Sequence, residues 1–368
     1  MAGTDDRDDA VWMARAIQLA RRGWNSVTPN PRVGCVLVRN GELVGEGWHC
    51  RAGEPHAEVH ALRDAGARAH GATAYVTLEP CSHHGRTAPC AEALVSAGVA
   101  RVVYGMQDPF SAVAGRGLER LRAARIEVCG PLLEAEAAAL NPGYIKRQRS
   151  GLPRVTVKLA MSLDGRTAMA SGESQWITGP EARADVQRLR AASCAVVTGI
   201  GTVLHDDARL TVRELSLAVN CATGPWLRQP LRVVLDRGGQ LPDNAALLRE
   251  PGSVLHVTAT GRAGVAGADH WSLPEGSDAL ECLLRELATR GCNEVLVEAG
   301  PRLAGAFVAA GLVDELVVYI AFKLLGSSAR PLLELPFETL AQSVPLTVTD
   351  ERAVGADRRL TLTPVYQS

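Results

Sequence analysis

Residues 74–90 read AYVTLEPCSHHGRTAPC, and the fold of the first half of the chain turns on them. The apolar run to Leu78 has the length and composition of a buried strand, and Glu79-Pro80 ends it. Cys81 follows at once, and Cys90 opens CAEALVSAG, which predicts a helix. Working outward, RVVYGM (101–106) and IEVCG (126–130) predict strands on either side of a helix, GLERLRAA (117–124). Upstream, EPHAEVHALRDAG (54–66) predicts a helix entered through Pro55, a residue favoured in a first helical turn. Before it, VGCVLVRNGELVGEGWH (33–49) predicts a hairpin about Asn40-Gly41. Residues 11–22 carry a helical apolar period through Val11, Met13, Ala14, Ile17 and Ala20. Strands alternating with helices predict an α/β layered domain.

The alternation resumes beyond LNPGYIKRQRSGLPR (140–154), a basic junction with prolines and glycines. This places a boundary near residue 150 and divides the 368 residues into domains 1–150 and 151–368, both α/β. In the second, VTVKLAMSLDG (155–165), CAVVTGIG, LRVVLD, SVLHVTA, NEVLVEAG and ELVVYIAF predict strands. GPEARADVQRLRAA, ALECLLRELATRG and LAGAFVAAG predict the helices between them. LTVRELSLAVNCATGPWLRQP (210–230) reads as a surface insertion.

Composition narrows the function. A formal net charge of −1 gives no field toward nucleic acid or an anionic membrane, and 4% aromatic residues give few stacking platforms for bases. Neither a nucleic-acid nor a membrane partner is expected. The acidic N-terminus lacks the pattern of a secretory signal, and no uncharged apolar run has the length of a membrane span. Nine cysteines, an odd number spread thinly, argue against a disulfide framework and for a reducing cytoplasm.

His56, Cys81 and Cys90 form a candidate zinc set: three protein ligands leave the fourth tetrahedral position open, as catalytic zinc requires. Known nucleobase deaminases use Pro-Cys-x-x-Cys with a separate His-x-Glu, whereas eight residues separate the cysteines here. Glu58 is the natural non-ligand proton carrier. Positions i and i+2 of a regular helix point about 200° apart, so His56 and Glu58 share a side only at an irregular first turn. Two alternatives stand beside this reading: a helix-face pair His56 and His60, and a closed structural zinc site with His83 or His84 as fourth ligand.

SVTPNPRVGCVLV (26–38), GEGWH (45–49), AGEPHAEVHAL (52–62), the 74–90 stretch, and GMQDP with VAGRG after it resemble the deaminase half of the bifunctional riboflavin-biosynthesis deaminase/reductases. The resemblance covers residues from about 10 to 150 and implies a cytidine-deaminase-like three-layer α/β/α domain. It implies His56, Cys81 and Cys90 as zinc ligands and Glu58 as proton shuttle. The long loop then acquires a use, because His83, Arg86 and Thr87 match positions that hold a phosphorylated pyrimidine. Asn30, His49 and Asp108 match positions lining the ring pocket. One departure is that Phe110 and Ser111 stand where the family has Asn-Pro, which alters one pocket contact.

In the second half, VVTGIGTVLHDD (196–207) and VLVEAGPRLAGAF (295–307) are glycine-rich strand exits where backbone N–H groups can approach phosphate. With VTVKLAMSLDGRTA, SGESQWITG and GIGTVLHDDARLTVR they resemble the reductase half of the same family, a dihydrofolate-reductase-like α/β domain. That resemblance implies NADPH, with Ala160, Trp176, Thr202, Asp206, Gly300, Pro301, Arg302, Leu303, Ala304, Gly305 and Ala306 at the cofactor. It implies Ser174, Arg190, Leu210, Arg213 and Glu298 at the substrate. Arg190 and Arg213 would clamp a ribose phosphate. Lys158 interrupts an apolar strand and is assigned to positioning and protonating the sugar during hydride transfer, oriented by Glu298.

The expected function is a two-step enzyme: zinc-dependent hydrolytic deamination of 2,5-diamino-6-ribosylamino-4(3H)-pyrimidinone 5′-phosphate, then NADPH-dependent reduction of the ribosyl chain. Its partners are small phosphorylated pyrimidines, and a homo-oligomer is expected. The rivals are a deaminase of another nucleobase compound with a repurposed second domain, and a zinc-stabilised binding protein without chemistry.

Overall fold

A computed structural model gives the fold and describes residues 6–82, 89–110, 114–221, 224–276 and 278–366. The chain forms two compact units: one runs through Gly151 and adds Ala218–Leu227, and the other comprises Leu152–Leu217 and the chain from Arg228 onward. Both are α/β, as the alternation of elements predicts. Among the described residues no helix is long and apolar enough to cross a membrane.

The first unit runs α1 (Asp6–Ala20), β1 (Gly34–Arg39), β2 (Glu42–Trp48), α2 (Ala57–Ala65), β3 (Thr73–Val76), α3 (Cys90–Ser96), β4 (Arg101–Tyr104), α4 (Arg116–Ala123), β5 (Glu127–Cys129), α5 (Glu134–Ala139) and α6 (Pro142–Ser150). Its sheet has the order β2-β1-β3-β4-β5, with β1 antiparallel to both neighbours and β3, β4 and β5 parallel. The hairpin turns at Asn40-Gly41 with φ of 53° and 79°, the left-handed pair that Asn-Gly adopts at little cost. Side chains alternate across the sheet. Val36 and Val38 meet Met13 and Ile17 of α1 on one face. Cys35 and Leu37 meet Ala57 and Ala61 of α2, Leu94 of α3 and Leu121 of α4 on the other. Three layers result, α/β/α. A Cβ at Gly47 would stand 2.5 Å from the Ala57 carbonyl oxygen, so glycine there lets the start of α2 seat directly on β2. The junction around residues 142–150 is the helix α6 rather than an irregular linker.

The second unit runs β6 (Arg154–Ser162), β7 (Arg166–Ala168), α7 (Pro180–Ala192), β8 (Ala195–Gly199) and α8 (Ile200–Asp206). The chain then forms the hairpin β9 (Val219–Cys221) and β10 (Gly224–Trp226), which belongs to the first unit. The reading of 210–230 as a surface insertion is corrected in this respect: Arg51 stacks on the Trp226 ring at 4.3 Å, and Cys221 Sγ donates to the Cys50 carbonyl at 3.7 Å. There follow β11 (Leu231–Leu235), α9 (Ala246–Arg249), β12 (Val254–Ala259), β13 (Asp269–Leu273), α10 (Ala279–Thr289), β14 (Glu294–Val297), α11 (Pro301–Ala309), β15 (Glu315–Ala321), β16 (Arg330–Pro331), β17 (Leu346–Val354) and β18 (Asp357–Pro364). The nine-stranded sheet has the order β13-β12-β11-β8-β14-β6-β15-β18-β17. Its strands are parallel from β13 to β15, with β18 antiparallel to β15. Parallel strands need cover on both faces. Leu283 of α10 and Phe307 of α11 pack on one, and Ala182 and Val186 of α7 on the other.

Candidate active sites

In the first unit, His56 is the residue before α2, with φ −75° and ψ 170°, so it lies outside the helix while Glu58 sits in the first turn. This break in helical geometry brings two residues of a His-x-Glu to one side. Cys81 follows the end of β3, and Cys90 is the first residue of α3. The strand exit and the helix start are tied by Ala91 N–H donating to the Cys81 carbonyl at 3.1 Å. His56 Nδ1 lies 3.7 Å from Cys81 Sγ and 3.3 Å from Cys90 Sγ, and all three donor atoms fall within 4.8 Å of one another.

These donors fit zinc. A tetrahedral ion with sulfur at about 2.3 Å and nitrogen at about 2.0–2.1 Å sets its donors about 3.6 Å apart. The electrostatics agree. Cys81 is pulled down to about 4, first by the hydrogen bond from the Cys90 thiol and then by His56 and the Cys90 N–H, which reaches its sulfur at 3.3 Å. Cys90 rises in turn, because the neighbouring Cys81 thiolate and burial both oppose a second negative charge. His56 rises through its hydrogen bond to Cys81. Glu58 is 3% exposed, burial raises its carboxyl, and its Oε2 has no hydrogen-bond partner among the described residues. A buried polar atom left alone is costly, so this oxygen faces a group that binding must supply. His60 is not part of the donor cluster, which sets aside the helix-face pair. His83, His84, Arg86, Thr87 and Ser111 lie outside the described residues.

His49 and Asn30 meet beside the cluster: Asn30 Nδ2 lies 3.0 Å from His49 Nε2, and the His49 and His56 rings are edge to face at 5.1 Å. His49 Nδ1 lies 3.1 Å from the Pro55 carbonyl, which only accepts, so Nδ1 carries the proton. Burial lowers His49 to about 4, hence Nε2 is bare near neutral pH and accepts from Asn30. Asp108 is buried, and its Oδ1 accepts from Phe110 N–H and the Tyr144 hydroxyl, both at 2.9 Å. The sequence reading missed Glu79. It is 2% exposed; its Oε1 accepts from Gly117 N–H at 3.0 Å, and its Oε2 accepts from Gly115 N–H at 3.0 Å and Asp108 N–H at 3.3 Å. It ties the Cys81 strand end to the loop carrying Asp108.

In the second unit one cavity of about 1920 Å³ opens at the carboxyl ends of the parallel strands. Lys158, Ala160, Ser174, Trp176, Arg190, Thr202, Asp206, Leu210, Arg213, Glu298, Gly300, Pro301, Arg302, Leu303 and Ala306 all line it. Ala304 and Gly305 do not. They face inward: Ala304 is fully buried, and a Cβ on Gly305 would meet the Glu334 carbonyl oxygen at 2.0 Å. Successive helical residues turn by about 100°, so side chains along α11 do not all face the cavity. Arg190 is engaged side-on by Glu298, and its Nη1 donates to the Thr211 carbonyl at 3.1 Å, so only its remaining Nη hydrogens are open to a ligand. Arg213 is lowered by burial and by its neighbours Arg190 and Arg209. Cations crowded in this way favour an anion between them. Lys158 is lowered first by burial and then by Arg190, while Glu298 opposes that shift. Nothing lies within 4 Å of a Cβ built on Gly300, the residue capping α11, so a diphosphate has room at that helix N-terminus. This cradle fits a dinucleotide.

Comparison with known proteins agrees with both sites. Residues 6–106 match the zinc-binding region of cytidine and deoxycytidylate deaminases, and residues 153–357 match the RibD C-terminal domain. The chain is 53% identical to the riboflavin biosynthesis protein RibD of Escherichia coli over 95% of its length and 97% of that protein. It is 49% identical to its counterpart in Haemophilus influenzae, covering 97% of each. The crystal structure of Acinetobacter baumannii RibD superposes with a TM-score of 0.91 at 47% identity, covering 98% of this chain and all of that one. A Thermotoga maritima structure, described as a diaminohydroxyphosphoribosylaminopyrimidine deaminase/5-amino-6-(5-phosphoribosylamino)uracil reductase, gives 0.86 at 33% identity, covering 98% and 99%. A zinc deaminase joined to a reductase in one chain defines a bifunctional enzyme of riboflavin biosynthesis. Zinc serves the first region and NADPH the second. The chain belongs to the RibD family.

Proposed function

We propose that the first unit deaminates 2,5-diamino-6-ribosylamino-4(3H)-pyrimidinone 5′-phosphate and that the second reduces the resulting 5-amino-6-(5-phosphoribosylamino)uracil to its ribitylamino form. The partnerless Glu58 Oε2 beside His56, Cys81 and Cys90 carries the deaminase half of this reading. His56 Nδ1 and the two sulfurs would hold zinc, which lowers the pKa of water enough to make it a nucleophile near neutral pH. Glu58 takes a proton from the attacking water and gives it to the adjacent ring nitrogen as the C–O bond forms. It then carries the remaining hydroxyl proton to the amine, so the C–N bond breaks, ammonia leaves and the attacked ring carbon becomes a carbonyl. Burial raises the Glu58 carboxyl, which favours its carrying a proton between the two transfers. His49, fixed as the Nδ1–H tautomer, and Asn30 orient the ring.

In the second unit NADPH, when bound, would supply hydride to the ribosyl C1′ as the bond from C1′ to the ring oxygen breaks, and Lys158 would give the proton to that oxygen. Arg213, Ser174 and the free Nη hydrogens of Arg190 hold the 5′-phosphate, and Glu298 positions Arg190 and Lys158. None of the nine cysteines forms a disulfide, which supports a reducing cytoplasm as the compartment. Self-association is expected too, supported by the exposed edge strand β17 and tested by light scattering.

The experiment is to follow ammonia release and NADPH oxidation separately on the diamino substrate. Glu58→Gln should lower deamination by about 10²- to 10⁴-fold with zinc content unchanged, and should leave reduction of added deaminated substrate intact. Near-normal ammonia release by that variant would refute the assignment. Activity on free nucleosides but not on the phosphorylated pyrimidine would favour a different deaminase.

A further inference from the structure

The strand ends act as a ruler along the second cavity. Lys158 lies on β6; next in order come β14, whose exit leads to Gly300 and α11, then β8 and β11. Neighbouring strands stand about 4.8 Å apart, so the exit of β11 is about 14 Å from that of β6. A dinucleotide with its nicotinamide at Lys158 and its diphosphate at Gly300 therefore has its adenosine at β11 and beyond. There the cavity wall is apolar, formed by Leu235, Leu273, Ala279 and Leu280, and Arg237 lines it directly after β11.

Arg237 differs from its neighbours in being uncommitted. Among the described residues its guanidinium makes no hydrogen bond or ion pair. Arg209 pairs with Glu250 at 3.1 Å and Arg302 with Glu334 at 3.2 Å. The turn carrying Arg237 is also held from beneath. Asp236 is fully buried, and its Oδ2 accepts from Gln240 N–H at 2.6 Å, Leu241 N–H at 2.8 Å and His256 Nε2 at 3.0 Å. His256 Nδ1 accepts from Val265 N–H at 3.1 Å, which leaves the ring proton on Nε2, facing Asp236. Gly239 takes a φ of 68° so that the chain can double back. Neither Asp236 nor His256 enters the two reactions. A buried carboxylate spent on a surface turn fixes where Arg237 leaves the sheet.

We propose that Arg237 binds the 2′-phosphate of the dinucleotide and sets the preference for NADPH over NADH, an inference that rests on NADPH occupying this cavity. A guanidinium fork matches phosphate with paired hydrogen bonds, whereas NADH offers only hydroxyls there. The test uses the full chain and reads binding by calorimetry, with NADPH, NADH, adenosine 2′,5′-bisphosphate and 5′-AMP as probes. The wild type should bind the two probes that carry a 2′-phosphate ~10-fold or more tightly than their counterparts without it. Arg237→Ala should abolish most of that ratio while NADH and 5′-AMP affinities stay within about twofold, and Arg285→Ala, at an exposed arginine outside the cavity, should keep it. If Arg237→Ala binds all four probes with the wild-type ratio, the assignment to Arg237 falls and the cavity assignment stands. If the wild type binds neither dinucleotide, both fall.

Discussion

Glu298 grips Arg190 side-on, with Nε to Oε1 at 2.6 Å and Nη2 to Oε2 at 2.9 Å, both side chains nearly buried. The pair fixes the guanidinium plane, so only the outer edge of Arg190, in the cavity that Arg213 also lines, is open to the proposed substrate phosphate. Glu298→Gln replaces one acceptor with a donor facing a donor. Breaking a buried pair costs about 3–5 kcal/mol. NADPH oxidation on the deaminated substrate should fall by at least ~100-fold, while ammonia release from the diamino substrate stays at the wild-type rate.

The same pair sets the pH response of reduction. Burial holds Lys158 below its ordinary 10.5, and Glu298 opposes that shift. Lys158 gives a proton only as the ammonium, so the rate must decline as pH rises through its pKa, at a pH under 10.5. Removing the Glu298 charge lowers that pKa further. The alkaline limb of the kcat profile should therefore move to lower pH in Glu298→Gln, whereas Lys158→Arg should lose most of its NADPH oxidation at every pH, since arginine keeps its proton.

Much of this was legible in residue order, for physical reasons that also mark where reading stops. Buried parallel strands such as VLV at 295–297 are apolar throughout and announce themselves. Cys81 and Cys90 sit at a strand end and a helix start, which sequence shows, but that they meet across eight residues came from resemblance. The contacts of Glu79 and Asp236 were hidden because most of their partners are backbone N–H groups. Gly115 and Gly117 carry no side-chain signal of a carboxylate that lies 36 and 38 residues away. Arg237-Gly238-Gly239 did carry a cue, a cation and two glycines at a strand exit, and it was passed over. The run 300–306 came from a motif, which does not show that Ala304 and Gly305 lie on the face of α11 away from the cavity. The β17–β18 hairpin escaped because its outer strand is exposed on both sides and lacks alternation.

Glu79 should act on the deaminase without touching the reaction. Glu79→Gln keeps the shape but turns one of its oxygens into a donor against the N–H groups of Asp108, Gly115 and Gly117. An unmet buried donor costs about 1–3 kcal/mol. Calorimetry should show a lower melting transition for the first unit. With the loop at Asp108 loosened, KM for the diamino substrate should rise more than kcat falls, and NADPH oxidation on added deaminated substrate should be unaffected. An unchanged KM with a collapsed kcat would instead mark Glu79 as a participant in proton transfer.

Asp185 should govern the acid stability of the second unit. Burial pushes its carboxyl up, but the Tyr319 hydroxyl at 2.6 Å and Arg359 at 2.8 Å more than offset this, so its folded pKa lies below the ordinary 3.8. A lowered carboxyl pKa contributes stability that is complete above 3.8 and is lost as pH falls through the folded value. Asp185→Asn leaves Arg359 and Tyr319 facing a neutral amide under α7. The loss should be about 3 kcal/mol near neutral pH, lowering the melting temperature of a unit this size by roughly 6–12 °C. The gap between wild type and variant should narrow as pH drops below 3.8, because the wild type then loses the same charge. A gap that stayed constant down to pH 2 would assign the effect to packing rather than to the ion pair.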